Sequence, residues 1–271
     1  MNPVSIMQGR LSPSENNRFQ FFPHDWMAEF AQAKTLGFDG VCWFLDRDIP
    51  DFEPVRDIWA DEIRLKHIDE AIKILPIRGI DTGRYGFFGE DGRQTLETFS
   101  LFLPALAPHL TGQTLSVPLL EDKMPRTTAE RQEVIFNLNE VANLATSLNL
   151  RLALETEWSA EAALGFLSEL DRSNVGICYD IGNATSYGFD CPTEIRTLGA
   201  KIFDVHLKDR KVGESQSQLL GTGDADFPAC FAAFKEIDYK GGFTLQAWRG
   251  ENYLEDAKTQ LTFVRKCLSS L

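Results

Sequence analysis

The feature of this sequence that most restricts its fold is an alternation of short apolar runs with longer amphipathic segments along its whole length. Eight runs have the length and composition of buried strands, and a segment with helical spacing of its apolar residues follows each one. The predicted strands cover residues 4–7, 40–45, 77–80, 114–119, 152–156, 175–180, 202–207 and 243–245. The predicted helices cover residues 25–36, 61–75, 94–110, 127–148, 160–170, 193–198, 228–237 and 254–268. Strands that alternate with helices in this way are expected to be parallel.

Eight strand–helix units in 271 residues match the (β/α)8 TIM barrel, an α/β fold of typically about 250 residues. No linker, low-complexity tract or change of composition divides the chain, so we predict one TIM barrel domain over residues 1–271. A doubly wound open sheet is the alternative. It is disfavoured because no Gly-x-Gly-x-x-Gly motif follows the first predicted strand, and the later Gly221 and Gly223 are interpreted as a turn.

Local signals mark several helix ends. Gly37 fits the C-terminal cap of the first helix, and Thr127 with Glu130 fits a capping box at the start of the fourth. Pro104 falls inside predicted helix 94–110 and is expected to kink or break it, because proline lacks the amide hydrogen that an interior helical position uses.

The net charge and the cysteine content of the chain indicate which partners and which cellular compartment are compatible with it. The formal net charge of −13 argues against nucleic-acid and membrane partners, since phosphates and anionic lipids attract cationic proteins. No apolar run reaches the roughly 18 residues of a membrane-spanning helix, and the first residues lack a signal-peptide pattern. Five scattered cysteines form no CxxC pair, which indicates reduced thiols and a cytoplasmic protein.

Four polar residues stand at the C-terminal ends of predicted strands, namely Glu155, Asp180, His206 and Gln246. In TIM barrels the active site lies at this end of the strands. Side chains alternate along a strand, so His206 faces away from Val205 and into the barrel if the apolar residues pack on the helices. We therefore predict that these four residues bind one metal ion.

Two carboxylates, an imidazole and an amide oxygen form a ligand set that suits Mn²⁺, Mg²⁺ or Co²⁺, with Zn²⁺ as a further option. Ionic groups at a barrel mouth are costly unless they are paired or coordinated. His206 must be neutral to bind a metal through nitrogen. Taken singly, each residue has a structural interpretation: Glu155 as a surface or capping group, Asp180 as a turn residue, and His206 as a satisfied core histidine.

Six short motifs occur at strand ends and in the loops that follow them. They are Met7-Gln8-Gly9-Arg10-Leu11, Leu154-Glu155-Thr156-Glu157, Tyr179-Asp180-Ile181-Gly182-Asn183, Val205-His206-Leu207-Lys208-Asp209, Gly221-Thr222-Gly223-Asp224-Ala225-Asp226-Phe227 and Leu245-Gln246-Ala247-Trp248-Arg249-Gly250. Together they resemble the xylose isomerase-like TIM barrel family of sugar and sugar-phosphate isomerases and epimerases, which shares its fold with endonuclease IV. The likeness spans nearly the whole chain.

The resemblance implies that Glu155, Asp180 and His206 bind a divalent metal. Gln246 falls at the fourth ligand position, where the ketose 3-epimerases have a glutamate whose carboxylate acts on the substrate opposite the first glutamate. An amide does not accept a proton usefully near neutral pH, which argues against two-base epimerisation by this pair, although its carbonyl oxygen can bind a metal. Glu157 shares the facing of Glu155 and is either a replacement base or an exposed loop residue.

The implied function is a sugar or sugar-phosphate isomerase or epimerase that removes a proton α to a carbonyl, with a metal ion stabilising the enediolate. Glu155 is the predicted base, and one base suffices for a 1,2-shift, which favours aldose–ketose isomerisation. The predicted substrate-binding residues are Asn183, Lys208, Arg210, Arg249 and Trp43. The cationic members suit a phosphate or carboxylate, with solvated surface charges as the alternative, and Trp43 suits the apolar face of a sugar.

Other functions stay open. A keto-polyol dehydratase would use the same metal and base, and Gln246 is compatible with a non-catalytic sugar-binding descendant of the fold. An endonuclease IV-like repair enzyme is disfavoured, because Asn183 and Asp226 stand where that enzyme's pattern has histidine and the chain is acidic. Five aromatic residues in predicted loops either close a pocket or form a contact in a homo-oligomer: Phe19, Phe21, Phe22, Phe87 and Phe88.

Overall fold

Eight parallel strands close into a barrel in the computed structural model, which describes residues 2–14, 18–45 and 62–269. The barrel strands are β1 (Val4–Met7), β2 (Gly40–Phe44), β3 (Ile77–Asp81), β4 (Leu110–Leu119), β5 (Arg151–Thr156), β6 (Val175–Asp180), β7 (Ile202–Leu207) and β10 (Phe243–Leu245). They follow chain order around the barrel, and β10 pairs with both β7 and β1. A separate antiparallel hairpin joins β8 (Asp209–Arg210) to β9 (Ser217–Gln218). The closed ring confirms the predicted TIM barrel and excludes the open sheet.

Helices follow the strands along the described part of the chain. They are α1 (Trp26–Leu36), α2 (Glu62–Ile74), α3 (Gly89–Leu106), α4 (Thr128–Ser147), α5 (Ala160–Leu170), α6 (Ile181–Ser186), α7 (Cys191–Leu198), α8 (Phe227–Glu236) and α9 (Tyr253–Ser269). Among these helices, none is long and apolar enough to cross a lipid bilayer.

Side chains cap α4 as the sequence predicts. The hydroxyl of Thr127 accepts a hydrogen bond from the Glu130 amide at 3.2 Å, and the Glu130 carboxylate accepts one from the Thr127 amide at 2.9 Å. This capping box satisfies two amide groups that the first turn of a helix leaves without partners. Gly37 ends α1 with a φ of 94°, a conformation that favours glycine.

The region around Pro104 differs from the sequence-based expectation. Helix α3 begins at Gly89 and continues through Pro104 to Leu106. Of the two expected effects of Pro104, a break is therefore wrong, and a kink stays a prediction. The proline lies in the last turn, so the hydrogen bond that it cannot donate is one of the last in the helix, which ends two residues later. A short 3-10 helix over Ala107–His109 follows, and β4 then begins at Leu110 rather than at residue 114.

Helix α6 and the β8–β9 hairpin were not predicted. Helix α6 begins directly after β6, and the Asp180 carboxylate caps it by accepting a 2.7 Å hydrogen bond from the Asn183 amide. A helix of six residues is too short for apolar periodicity to reveal it.

Polar side chains of β7 point into the barrel. The hydroxyl of Ser116 on β4 donates to the Asp204 carboxylate on β7 at 3.0 Å. Because β4 and β7 are not neighbouring strands, this hydrogen bond crosses the barrel interior. Val205 and Leu207 alternate with the polar residues and are fully buried in the hydrophobic core. The predicted facing of this strand is confirmed.

Gly112 and Gly165 form a matched pair for testing how closely the strands pack. A Cβ atom added at Gly112 in β4 would lie 1.5 Å from the backbone oxygen of Arg78, whereas one at Gly165 in α5 meets nothing within 4 Å. We expect Gly112→Ala to lower the free energy of unfolding by at least about 1–3 kcal/mol, because backbone must move. Gly165→Ala should raise it by up to about 1 kcal/mol. Urea unfolding measures both, and a Gly112→Ala variant as stable as the wild type would contradict this strand spacing.

Candidate active site

The imidazole of His206 lies between two carboxylates inside the barrel mouth. Its Nδ1 atom is 3.3 Å from Oε2 of Glu155 on β5, and its Nε2 atom is 4.0 Å from Oδ2 of Asp81 on β3. All three side chains are almost completely buried. Strands β3 and β7 lie apart in the barrel, so these side chains meet only because the sheet closes on itself.

A second group of side chains surrounds Glu155 from the β6 side. Asn183 in α6 donates from Nδ2 to Oε1 of Glu155 at 2.5 Å. The ammonium of Lys208, just after β7, is 2.8 Å from Oδ2 of Asp180 and 3.5 Å from Oδ1 of Asn183. Asn183 therefore orients the Glu155 carboxylate and links it to the Lys208–Asp180 ion pair.

The structure brings two of the four predicted metal ligands into direct proximity. Glu155 and His206 form, with Cys178 on β6, a group whose ligand atoms lie within 4.8 Å of one another. Asp180 caps α6 with one oxygen and faces Lys208 with the other. Gln246 follows β10 and lines the same cavity as Glu155. That all four predicted residues share one ion stays a prediction.

Several buried polar atoms in this group accept or donate no hydrogen bond. They are Oδ2 of Asp81, both ring nitrogens of His206 and Oε1 of Gln246. Buried polar atoms nearly always have partners, so atoms of this kind that cluster indicate a ligand. Carboxylate and amide oxygens with one imidazole nitrogen fit a divalent cation such as Mg²⁺ or Mn²⁺. The donor set thus fits the metal that the sequence implies.

Burial and mutual repulsion perturb the acidic groups of the site. Burial raises the pKa of Asp81 to about 6, with Glu155 adding to the rise and His206 opposing it. Burial also opposes ionisation of Asp180, but Lys208 and His206 outweigh it and lower its pKa. For His206 the burial effect is outweighed by Cys178 and Glu155, which raise its pKa well above the ordinary value. Burial raises the pKa of the Cys178 thiol to about 12.

An open cavity of about 420 Å³ lies above these groups at the C-terminal ends of the strands. This volume falls within the range of small-molecule sites, which is about 300–1,000 Å³. Its lining includes the polar side chains of Glu155, Asn183 and Gln246 and the cationic side chains of Lys208 and Arg210. The cavity therefore combines a buried carboxylate with cationic groups in a space that admits a sugar.

Two arginines hold the segment that carries Phe19 at the rim of the cavity. Arg249 donates to the backbone oxygens of Phe19 at 3.0 Å and Arg18 at 3.1 Å, and stacks on the ring of Phe21 at 4.8 Å. Arg10 donates to the same Phe19 oxygen at 2.5 Å and lies 3.8 Å above its ring. The structure thus places Arg249, a predicted substrate-binding residue, in contact with the protein's own backbone.

Buried Glu29 fixes the loop that carries Arg10. Its carboxylate accepts hydrogen bonds from the amides of Gly9 and Leu11 and from the hydroxyl of Ser12, at 2.8 to 3.0 Å. Burial raises the pKa of Glu29 to about 7, although these donors oppose the rise.

Trp43, a predicted wall of the sugar site, lies instead in the hydrophobic core. It is 1% exposed and packs against Phe22 and Trp26 of the β1–α1 region with ring centroids 5.1 and 5.2 Å away. The physical reason is that apolar neighbours on the helix side of β2 enclose the indole. Of the loop aromatics, Phe21, Phe22 and Phe87 are buried and Phe88 packs against the core, whereas Phe19 is 41% exposed and lines the cavity.

The carboxylate of Glu157, the predicted replacement base, is turned away from the cavity. Its Oε1 accepts a 2.6 Å hydrogen bond from the Glu121 amide, and its Oε2 accepts one from Arg126 at 3.0 Å. Glu157 is two residues beyond Glu155, past the end of β5, where the strand alternation no longer fixes its direction. This contact gives the carboxylate a role in holding the loop after β4.

Sequence reasoning missed two residues of the site, Asp81 and Cys178. The predicted third strand ends at residue 80, whereas the observed strand β3 ends at Asp81. Asp81 is therefore a carboxylate at a strand end, as Glu155 is. Cys178 precedes Asp180 by two residues, so strand alternation puts it on the same face. Neither position in the sequence is specific. A lone cysteine such as Cys178 is equally typical of a hydrophobic core, and an aspartate before Thr82-Gly83 is equally typical of a turn.

Comparison with known proteins places the chain in a family. The family model described as "Xylose isomerase-like TIM barrel" matches residues 30–267. The chain belongs to the xylose isomerase-like TIM barrel family.

Several similar proteins within this family are sugar epimerases. The L-ribulose-5-phosphate 3-epimerase UlaE of Salmonella paratyphi C is 24% identical over 238 residues, which are 82% of each chain. The structure of an L-ribulose 3-epimerase has a TM-score of 0.76 at 18% identity and covers 100% of this chain and 95% of its own. A xylose isomerase-like TIM barrel protein from Mycobacterium smegmatis in complex with magnesium has a TM-score of 0.74 at 18% identity. The match covers 99% of this chain and 97% of that protein. At these identities the structures support the fold alone.

The contact of Arg249 with the rim segment can be tested by proteolysis. Arg249→Met removes two hydrogen bonds to backbone oxygens at residues 18 and 19. At about 1 kcal/mol each, their loss should raise local opening, and hence tryptic cleavage after Arg18, about 10-fold or more. Mass spectrometry of a limited digest measures the rate. Arg172→Met, which removes a hydrogen bond to Asn139 elsewhere, is the matched control. Equal cleavage in the two variants would show that Arg249 does not hold the segment.

Proposed function

We propose that the protein is a divalent-metal-dependent sugar isomerase or epimerase that removes a proton α to a carbonyl group. The observation that carries this proposal is the cluster of buried, unpartnered nitrogen and oxygen atoms around His206 at the floor of an open cavity. Such atoms are expected where a cation and a polar ligand bind. The sugar epimerases among its relatives support the same class of substrate.

Glu155, Asp180, His206 and Gln246 are the proposed metal ligands. Each offers a buried donor atom at the C-terminal end of β5, β6, β7 or β10. A divalent ion bound there would polarise the substrate carbonyl and favour the enediolate. For Asp180 to join the ligands, its Oδ2 must exchange the Lys208 ammonium for the ion. That exchange would release Lys208 toward the cavity that it lines.

Glu155 is the proposed base. Its carboxylate lines the cavity, and Asn183 holds one of its oxygens in place. A carboxylate that is buried and oriented in this way is preorganised to accept a proton from a carbon held above it. Lys208 and Asn183 are the proposed partners of the substrate hydroxyl and carbonyl oxygens. Phe19 at the rim offers an apolar face to the sugar ring or chain.

Asp81 makes 3-epimerisation a second candidate beside aldose–ketose isomerisation. Gln246 lacks a basic carboxylate, so Glu155 alone would give a proton shift on one face of the substrate. Asp81 also lines the cavity, and it lies on the Nε2 side of His206 while Glu155 lies on the Nδ1 side. Two carboxylates on different sides could serve the two faces that epimerisation requires. Product analysis by NMR separates an aldose from an epimeric ketose.

The role of Glu155 can be tested by solvent-hydrogen exchange. Glu155→Gln keeps the size of the side chain but removes the base, so incorporation of deuterium from D2O into L-ribulose or L-ribulose 5-phosphate should fall by at least about 100-fold. Glu157→Gln is the matched control, because its carboxylate faces Glu121 and Arg126 instead of the cavity. It should retain most of the exchange. The reverse order of the two effects would assign the base to Glu157.

Metal binding can be measured without turnover. After treatment with EDTA, the protein should bind about one Mn²⁺ in isothermal titration calorimetry. His206→Asn removes an imidazole ligand and should weaken this binding by at least about 100-fold, since even outer-sphere changes cost 10- to 100-fold. His109→Asn is the matched control, because His109 pairs with Asp69 away from the site. Equal Mn²⁺ affinity in both variants would remove His206 from the ligand set.

A further inference from the structure

Arg210 differs from the other cationic side chains that line the cavity. Lys208 faces Asp180 at 2.8 Å, Arg84 faces Asp122 at 3.1 Å, and Lys123 faces Asp91 at 2.6 Å. Arg210 forms no ion pair with any residue in the described part of the chain, and its buried Nε atom donates no hydrogen bond.

The backbone that carries Arg210 is held firmly. Arg210 pairs with Ser217 in the β8–β9 hairpin, and its backbone oxygen accepts a 3.0 Å hydrogen bond from the Asp224 amide. The preceding residue, Asp209, is fully buried. Its carboxylate accepts hydrogen bonds from three backbone amides, at 2.8 to 3.3 Å, those of Gly221, Gly223 and Ala225.

Close packing explains the glycine at position 223. A Cβ atom added to Gly223 would lie 2.3 Å from the Asp209 carboxylate and 2.7 Å from the Arg210 backbone oxygen. The glycine-rich segment that follows the hairpin therefore serves as a support for Asp209 and Arg210.

Tyr187 and Arg18 extend the positive, hydrogen-bonding side of the cavity. Tyr187 follows α6, is 39% exposed and lines the cavity together with Arg210. Partial burial raises the pKa of its phenol to about 12, with Glu157 adding to the rise and Arg210 opposing it, so the hydroxyl remains a donor. Arg18 lines the same cavity. A guanidinium and a hydroxyl donor are the groups that bind phosphate and carboxylate oxygens.

We propose that Arg210 and Tyr187 bind a terminal anionic group of the substrate, a phosphate or a carboxylate, so that the enzyme selects charged ketoses over neutral ones. This inference rests on the proposed function, because it places the reacting end of the sugar at Glu155 and the charged end at the hairpin. A guanidinium without an internal acidic partner gains a full ion pair when an anion binds, whereas Lys208, Arg84 and Lys123 would have to exchange one.

The test compares kcat/KM for L-ribulose, L-ribulose 5-phosphate and a ketose with a terminal carboxylate in the metal-loaded enzyme. Arg210→Met should reduce the preference for the charged substrate over L-ribulose by about 10- to 100-fold, the value of a charged hydrogen-bonded contact. Arg84→Met removes the same charge from the same cavity and should change the preference by no more than about fivefold. Whichever charged substrate loses its advantage identifies the anionic group.

A second measurement does not depend on turnover. Inorganic phosphate should bind to the metal-loaded protein in calorimetry, and Arg210→Met, but not Arg84→Met, should weaken that binding about 10-fold or more. Tyr187→Phe should weaken it to a smaller degree. Equal effects of the two arginine variants in both experiments would overturn the assignment to Arg210. If the wild type shows no hydrogen exchange with any ketose but binds phosphate through Arg210, the proposed function fails while the anion site stands.

Discussion

The contact of His206 with Glu155 on one side and Asp81 on the other is the interaction on which the rest of the site depends. The closed barrel brings these groups together from β7, β5 and β3 and buries them almost completely. Their burial is costly unless they are paired or coordinated. Four acidic side chains, Asp81, Glu155, Asp180 and Asp204, are buried there, and the Lys208 ammonium pairs with Asp180. This excess of negative charge, with unpartnered donor atoms around it, is what a divalent cation would balance.

Some polar side chains around this centre contact other parts of the protein, and others line the cavity where a ligand would bind. Asn183 fixes Glu155 and touches Lys208, while Asp180 both caps α6 and pairs with Lys208. At the rim, the long cationic side chains Arg10 and Arg249 are engaged with the backbone of the Phe19 segment. The hairpin after β7 instead presents its arginine to the cavity. The proposed reacting centre, an aromatic face and the proposed anion site thus lie at different walls of one pocket.

Local sequence signals were sufficient for the fold and for part of the site. Alternation of apolar runs with amphipathic segments located all eight barrel strands, and side-chain alternation along β5 and β7 placed Glu155 and His206 in the mouth. The same reasoning did not include Asp81 in the site, because strand β3 extends one residue beyond the apolar run that predicts it.

Contacts between distant segments could not be predicted in the same way. Nothing local in the sequence shows that Lys208 turns to Asp180, that Glu157 turns to Glu121, or that Arg249 reaches the backbone at residue 19. Long polar side chains have many rotamers of similar energy, and the choice among them depends on groups that come near only after the barrel has closed. Trp43 shows the same effect for an aromatic residue, since its neighbours are supplied by the β1–α1 region.

Anomalous X-ray diffraction from a crystal equilibrated with Mn²⁺ tests the central claim most directly. The account predicts one anomalous peak at the barrel mouth, with oxygen or nitrogen atoms of Glu155, Asp180, His206 and Gln246 within about 2.0–2.6 Å of it. In that state the Asp180 carboxylate should have left the Lys208 ammonium. A map without a peak at His206, or with Mn²⁺ bound only elsewhere on the protein, would contradict the claim that these buried groups are arranged around a metal.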